Sequence, residues 1–328
     1  MDFENGARRR IAATTWLVAV AVAAAACGDD PTAPSPMEPS DVERVHEEFT
    51  TLRASLVAST DLVGDLGHVR PVLDTLGSPL PPELRGATLE WDEEVGGYLA
   101  GERPGAPAGG LRFIVYDRSA TSLPEIGFVD VVDTAEADVS SRTVHLLKDE
   151  VTRLDYLLED GAGDVTAAGF VTDGSRRVDF DVTQVTGAGP DGFHLDLDYR
   201  FELRDPALTL EVDYDLRGLT TATGTFVATF TDGVDRLTVD LEQGPEQAVG
   251  GSVLWNGEER FAITGDDGEP VFLTPDGEDP EPADERAVRG LFEFAFDGIG
   301  YLLPYLLFSD PDLADPSGEA SVLRPGVG

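Results

Sequence analysis

The sequence predicts a mainly β protein, a large antiparallel meander sheet with an N-terminal helix and an apolar C-terminal helix packed on one face. Three observations support this fold class. From about residue 87 to 274, apolar and polar residues alternate with a period of two, as in strands with one buried face. Asp-Gly and Asn-Gly pairs interrupt the alternation, as they do in β-hairpins. On both sides of this region, apolar residues recur every three or four positions, which is the spacing of a helix face.

The N-terminal helix is predicted from about residue 41 to 59. Ser40 and Glu43 have the spacing of a capping box, which satisfies backbone N–H groups of the first helical turn. The apolar residues that follow share one face: Val42, Val45, Phe49, Leu52, Leu56 and Val63. Residues 64–86 contain several glycines and prolines, so at most a short helix fits there.

About a dozen strands are predicted, each with one apolar and one polar face, as in a meander that is solvated on one side. The clearest hairpin joins residues 193–203 to residues 208–216 through a turn at 204–207. If Leu203 faces Leu208, the register also sets three polar pairs opposite each other: Arg200 and Glu211, Asp198 and Asp213, and Asp196 and Asp215.

Six aspartates on three consecutive predicted strands form the one notable polar cluster: Asp179, Asp181, Asp196, Asp198, Asp213 and Asp215. Like charges that face each other across strands are destabilising. Either water and neighbouring arginines dilute these charges, or a hard cation such as Ca²⁺ binds the carboxylate oxygens. No Asp-x-Asp-x-Asp-Gly loop accompanies the cluster, which favours a solvated face. Calcium is therefore the one cofactor that the sequence leaves open.

The C-terminal helix follows an acidic, proline-containing loop at residues 275–285. Its apolar residues cover more than one face of the helix. The helix is therefore either buried in the protein or able to bury another apolar group. The simplest expectation is that the helix fills the concave side of the sheet; a lid over an acyl ligand and a second membrane contact are the alternatives. The residues that would contact such an apolar ligand are Leu291, Phe292, Ile299, Leu302 and Leu303.

The N terminus has the features of an export signal. Three consecutive arginines, residues 8–10, precede an uncharged apolar stretch at residues 11–26, which is shorter than the about 20 residues of a membrane-spanning helix. The segment Ala24-Ala25-Ala26-Cys27 resembles the lipobox of bacterial lipoproteins, with Ala24 where leucine is usual. This resemblance implies that residues 1–26 are removed and that Cys27 is diacylated. An ordinary secretory signal, a short anchor helix and a twin-arginine signal are the alternatives.

The position of the lipobox sets the predicted boundaries in the rest of the chain. Residues 27–40 comprise the acylated cysteine and a proline-rich tether, which is too polar to fold on its own. We expect a single β-rich domain at 41–310 and a flexible tail at 311–328. The predicted location is the cell envelope, with the protein anchored to a membrane by its acyl chains and facing the periplasm or the cell surface.

The charge of the chain limits its partners. The sequence has 63 acidic and 23 Lys or Arg residues, a formal net charge of −40. Nucleic acids and anionic membrane surfaces are attracted by clustered basic residues, so neither is an expected partner of the folded domain. The acidity itself is consistent with adaptation to high salt, with cation binding, or with a general preference for acidic surfaces. Because Cys27 is the only cysteine, the chain has no intramolecular disulfide.

Motifs for catalysis are absent from the sequence. Its four histidines are far apart, and it contains no Gly-x-Ser-x-Gly elbow and no phosphate-binding loop. We therefore predict a non-catalytic binding or structural protein with a lipid or protein partner. In the order of its elements, the mature chain resembles the periplasmic lipoprotein carriers, whose curved sheet holds acyl chains beneath helices. The alternative is a hydrolase built on two inward-facing carboxylates, one of them with a raised pKa.

Overall fold

A computed structural model describes residues 40–59, 69–76, 79–117, 120, 122–136, 139–161, 163–189, 192–218, 223–245, 248–266 and 269–306. The predicted signal peptide, Cys27, nearly all of the predicted tether, Val63 and the predicted tail at 311–328 lie outside these residues. Among the helices that are described, none combines the length and the apolar character that a membrane crossing requires.

The chain is mainly β, and the predicted fold class is confirmed. The described residues contain three α-helices, α1 at Ser40–Ser59, α2 at Arg70–Leu76 and α3 at Pro282–Leu306, and a short 3-10 helix at Pro82–Leu84. The fifteen strands are β1 Thr88–Asp92, β2 Gly97–Gly101, β3 Gly110–Tyr116, β4 Glu125–Glu136, β5 Val139–Lys148, β6 Val151–Asp160, β7 Asp164–Thr172, β8 Arg177–Gly189, β9 Gly192–Leu203, β10 Leu208–Arg217, β11 Thr223–Asp232, β12 Asp235–Gln243, β13 Val249–Trp255, β14 Glu258–Asp266 and β15 Glu269–Leu273.

The strands form a single sheet that follows chain order from β15 back to β3 and ends in β1 and then β2. Wherever the register is described the neighbours are antiparallel, except that β1 runs parallel to β3. Short turns explain the meander. Between β13 and β14, for example, Asn256 and Gly257 have φ values of 50° and 85°, the left-handed region that a tight hairpin turn requires.

Contacts divide the described chain into two compact units. The first unit consists of residues 40–53 and 184–299, and the second consists of residues 54–183 and 300–306. That residues 41–310 form a single domain stays a prediction.

The core of the first unit lies between one face of its strands and two helices. The predicted apolar face of α1 is buried, and Phe49 makes an edge contact with Phe230 of β11 at a ring distance of 5.0 Å. Arg44 fixes the start of the same helix, because its guanidinium donates to Asp232 at 2.6 Å and to Asp235 at 2.7 Å. These bonds attach the helix that follows the tether to the β11–β12 hairpin.

The second unit has its own core, formed by the inward-facing residues of β3 to β8 and by Leu73 of α2. Tyr156 and Phe180 are among its buried aromatic residues, with ring centres 6.3 Å apart. The same face also contains an ion pair. Asp133 of β4 and Arg142 of β5 face each other in the ladder, and their side chains are only 1% and 4% exposed.

Candidate functional site

The aspartate cluster has the predicted hairpin register. Asp198 faces Asp213 and Asp196 faces Asp215, and all four belong to the first unit. Arg217 partly compensates the charge of the second pair, because its guanidinium donates to Asp196 at 2.9 Å and to Asp215 at 2.7 Å. One pair of facing aspartates is therefore bridged by an arginine.

The other pair is less well compensated. Burial raises the pKa of Asp198, and the negative charges of Asp213 and Asp196 raise it further. The charged form of Asp198 is thus disfavoured, which is the electrostatic cost expected for facing carboxylates.

The two β8 aspartates belong to the second unit. Asp179 pairs with Arg177, whose Nε donates to its Oδ1 at 2.8 Å, while the guanidinium lies 3.6 Å from the ring centre of Phe170. Asp181 is exposed. Throughout the described part of the chain, no group of three or more His, Cys, Asp or Glu side chains is arranged to hold a metal ion. Calcium binding stays a prediction.

Thermal unfolding in two salts tests calcium binding directly. Screening of the Asp198 and Asp213 charges does not depend on which cation is present, so CaCl₂ and NaCl at equal ionic strength should raise Tm equally. If a calcium site exists, millimolar CaCl₂ raises Tm further, and the Asp196→Asn, Asp213→Asn double variant removes that difference. An additional rise in Tm that this variant abolishes would establish the site.

The predicted ligand-contacting residues of α3 lie in the first unit as far as residue 299. Leu291 and Phe292 are 0% and 3% exposed, respectively. The Phe292 ring lies 5.3 Å from that of Phe226 on β11, and the Phe296 ring lies 6.2 Å from that of Tyr214 on β10. Aromatic side chains of the helix therefore pack directly on the sheet. Ile299, Leu302 and Leu303 lie within α3, and their side chains are outside what the structure describes.

Tyr199 of β9 is a further residue of this interface, and the sequence did not predict it as a site residue. Among the described residues its buried hydroxyl has no hydrogen-bond partner, and burial, followed by the charge of Asp297, raises the pKa of Tyr199 well above the usual value. The helix backbone approaches it so closely that a Cβ on Gly298 would lie 3.0 Å from the Tyr199 Oη. A larger residue at this point of α3 would require the side chains of Tyr199 and Phe201 to shift.

The start of α3 contains a buried carboxyl group. Burial, together with the nearby charge of Glu43 on α1, raises the pKa of Asp284 to about 6, although Arg260 on β14 opposes the shift. A carboxyl whose pKa is raised by folding destabilises the native state as pH rises from 3.8 to about 6. At neutral pH the ionised Asp284 carboxylate is therefore locally destabilising at the start of α3. Further along, a Cβ on Gly290 would lie 2.3 Å from the Nε2 of His46, so the two helices also meet closely there.

Comparison of the chain with protein-family models, with curated proteins and with solved structures gives no match.

Proposed function

We propose that this chain is a lipid-anchored protein of the cell envelope, with a non-catalytic structural or binding role. The observation that carries the proposal is the position of Cys27, the only cysteine, directly after the uncharged segment 11–26 and three arginines. Acyl chains on this residue would hold the β-rich part at a membrane, facing the periplasm or the cell surface.

The packing of α3 supports a structural role for this helix. Phe292, Phe226 and Phe296 form a continuous set of ring contacts at 5.3 to 6.2 Å, which places side chains where the sequence analysis considered an acyl ligand. A narrower proposal is that the protein retains an apolar ligand between α3 and the sheet. Binding of such a ligand would require α3 to move away from the sheet.

The buried acids also favour a role without catalysis. The two buried carboxylates of the described chain are Asp133 and Asp284. Asp133 is already bound twice by Arg142, at 2.5 and 2.7 Å. A hydrolase of the kind considered above needs two inward-facing acids, and the Asp133 carboxylate is already occupied by Arg142.

Replacing Cys27 with serine tests the anchor. Serine has no thiol to acylate, so Cys27→Ser should move the protein from the membrane fraction to the soluble fraction. The measurement is fractionation with immunoblotting, together with mass spectrometry of the mature N terminus. Thr14→Ser is the matched control, because it makes a small polar change within the signal and leaves the cysteine in place. Membrane association that persists in Cys27→Ser, with an unacylated wild-type N terminus, would overturn the proposal.

A further inference from the structure

The two outermost strands of the sheet differ in how their edges are protected. A strand at a sheet edge offers backbone N–H and C=O groups to another chain, and proteins usually block such edges with proline, charged residues or a covering side chain. β15 is blocked in these ways. It contains Glu269 and Pro270, and Arg289 of α3 donates to the Pro270 carbonyl at 3.5 Å while lying over the Phe272 ring at 4.3 Å.

β2 is the last strand at the other end of the described sheet, and its own sequence, Gly-Tyr-Leu-Ala-Gly, contains neither proline nor a charged residue. Leu99 is 46% exposed, and both Ala100 and Gly101 are exposed as well. An apolar, uncharged edge of this kind is a template for the addition of a further strand.

The strand is also held in a fixed position, which lowers the entropic cost of binding a partner. The ring of Tyr98 makes edge contacts with Trp91 at 5.6 Å and with Phe113 at 5.3 Å. Its hydroxyl donates to the Ile114 carbonyl at 2.8 Å. Tyr98 therefore anchors β2 to the inner strands, while Leu99 points to the other face of the sheet.

Charge around this edge indicates the chemistry of the partner. Glu93 and Glu94 lie exposed in the β1–β2 turn, and Glu102 is exposed directly after the strand. The nearby Arg103 is already bound by Glu125 at 2.7 and 2.8 Å. Both ends of β2 are therefore acidic. A second copy of this chain, with its net charge of −40, would be repelled, whereas a segment with basic ends would be attracted.

We propose that the β2 edge binds an extended segment of a partner protein by strand addition, and that this segment has an apolar centre and Lys or Arg residues at its ends. Backbone hydrogen bonds to residues 97–101 supply affinity, and the carboxylates of the flanking residues select the basic ends. This interaction lies in the second unit and does not depend on the lipid anchor.

The test uses the full-length chain in detergent and a synthetic peptide with alternating valine and threonine between terminal lysines. Binding is measured by fluorescence anisotropy, and its position by hydrogen–deuterium exchange. Amide exchange at residues 97–101 should slow by about tenfold when the free peptide is at about ten times its Kd. A peptide with the same centre and terminal glutamates should bind much more weakly, and adding salt should reduce the difference between the two.

Two variants test the edge and its charge separately. Leu99→Lys puts a charge on the edge and should abolish binding, whereas Val271→Lys changes a residue of similar exposure, 49%, on β15 and should not. The Glu93→Gln, Glu94→Gln double variant should weaken binding of the lysine peptide alone. The proposal is wrong if residues 97–101 gain no protection, if both peptides bind equally, or if sedimentation shows a dimer of the chain that Leu99→Lys dissociates.

Discussion

Replacing Asp133 with alanine should lower the free energy of unfolding by about 3–5 kcal/mol, the cost of breaking a buried ion pair from one side. The variant leaves the Arg142 guanidinium, only 4% exposed, inside the second unit without the carboxylate that binds its Nε and Nη2. It also removes the acceptor of the Leu80 N–H, which donates to Asp133 Oδ2 at 3.2 Å. Urea denaturation of the full-length chain in detergent measures the change.

Two controls distinguish the cost of leaving a buried charge unpaired from the contribution of the ion pair itself. The double variant Asp133→Leu, Arg142→Met removes both charges and should be close to neutral, or more stable than the wild type. Glu125→Ala breaks a similar two-bond pair with Arg103, in which both side chains are about 40% exposed, and should cost less than about 1 kcal/mol. If Asp133→Ala lowers the free energy of unfolding no more than Glu125→Ala does, Asp133 does not stabilise the buried Arg142.

This ion pair could not be predicted from the sequence, because its aspartate is an exception to the alternation of apolar and polar residues that predicts the strands. Val129, Val131 and Asp133 alternate on β4 and all point inward. Alternation assigns charged residues to the solvated face. It therefore cannot identify an inward-facing Asp before the pairing of β4 with β5 is known. That pairing sets Asp133 opposite Arg142. An inward charge can be recognised only together with its partner, which lies on another strand.

The β9–β10 register could be predicted because its alternation is regular on both strands and the turn between them is short. Arg217, which bridges Asp196 and Asp215, was missed because the predicted strand ended at residue 216. Asp213, Asp215 and Arg217 lie at alternate positions and therefore share one face of β10. A predicted strand that was one residue longer would have placed the arginine beside the aspartates. The end of a strand is the part that alternation defines least well.

The helix contacts were predictable only in part. Spacing gave the buried face of α1 correctly, since Val42, Val45 and Phe49 are at most 1% exposed. Nothing local indicated that Gly290 and Gly298 of α3 would be points of close approach to His46 and Tyr199. Within a helix, glycine only lowers the intrinsic propensity. Its role at a contact depends on which distant residue packs there.

Replacing Phe292 with alanine should cost about 3–5 kcal/mol of unfolding free energy if α3 is part of the core. Phe292 is 3% exposed, and its ring lies 5.3 Å from Phe226 and 5.8 Å from Phe296. Truncation removes both ring contacts and leaves a cavity between α3 and the sheet. Urea denaturation gives the cost, and Glu293→Ala, on the exposed side of the same helix, should change stability by less than about 0.5 kcal/mol.

Native mass spectrometry of the same Phe292→Ala protein distinguishes a core helix from a lid. A core helix holds no ligand, so the wild type and the variant should each show only the mass of the mature chain with its proposed acyl chains, and the variant should be less stable. A lid would instead give a wild-type protein that carries a co-purified lipid, and Phe292→Ala would release that lipid with little loss of stability. The direct contact of Phe292 with Phe226 favours the first outcome, because a lid in this position would have to break that aromatic packing before a ligand could enter. A bound lipid in the wild type that is lost from the variant would show that α3 opens and that the chain carries an apolar ligand.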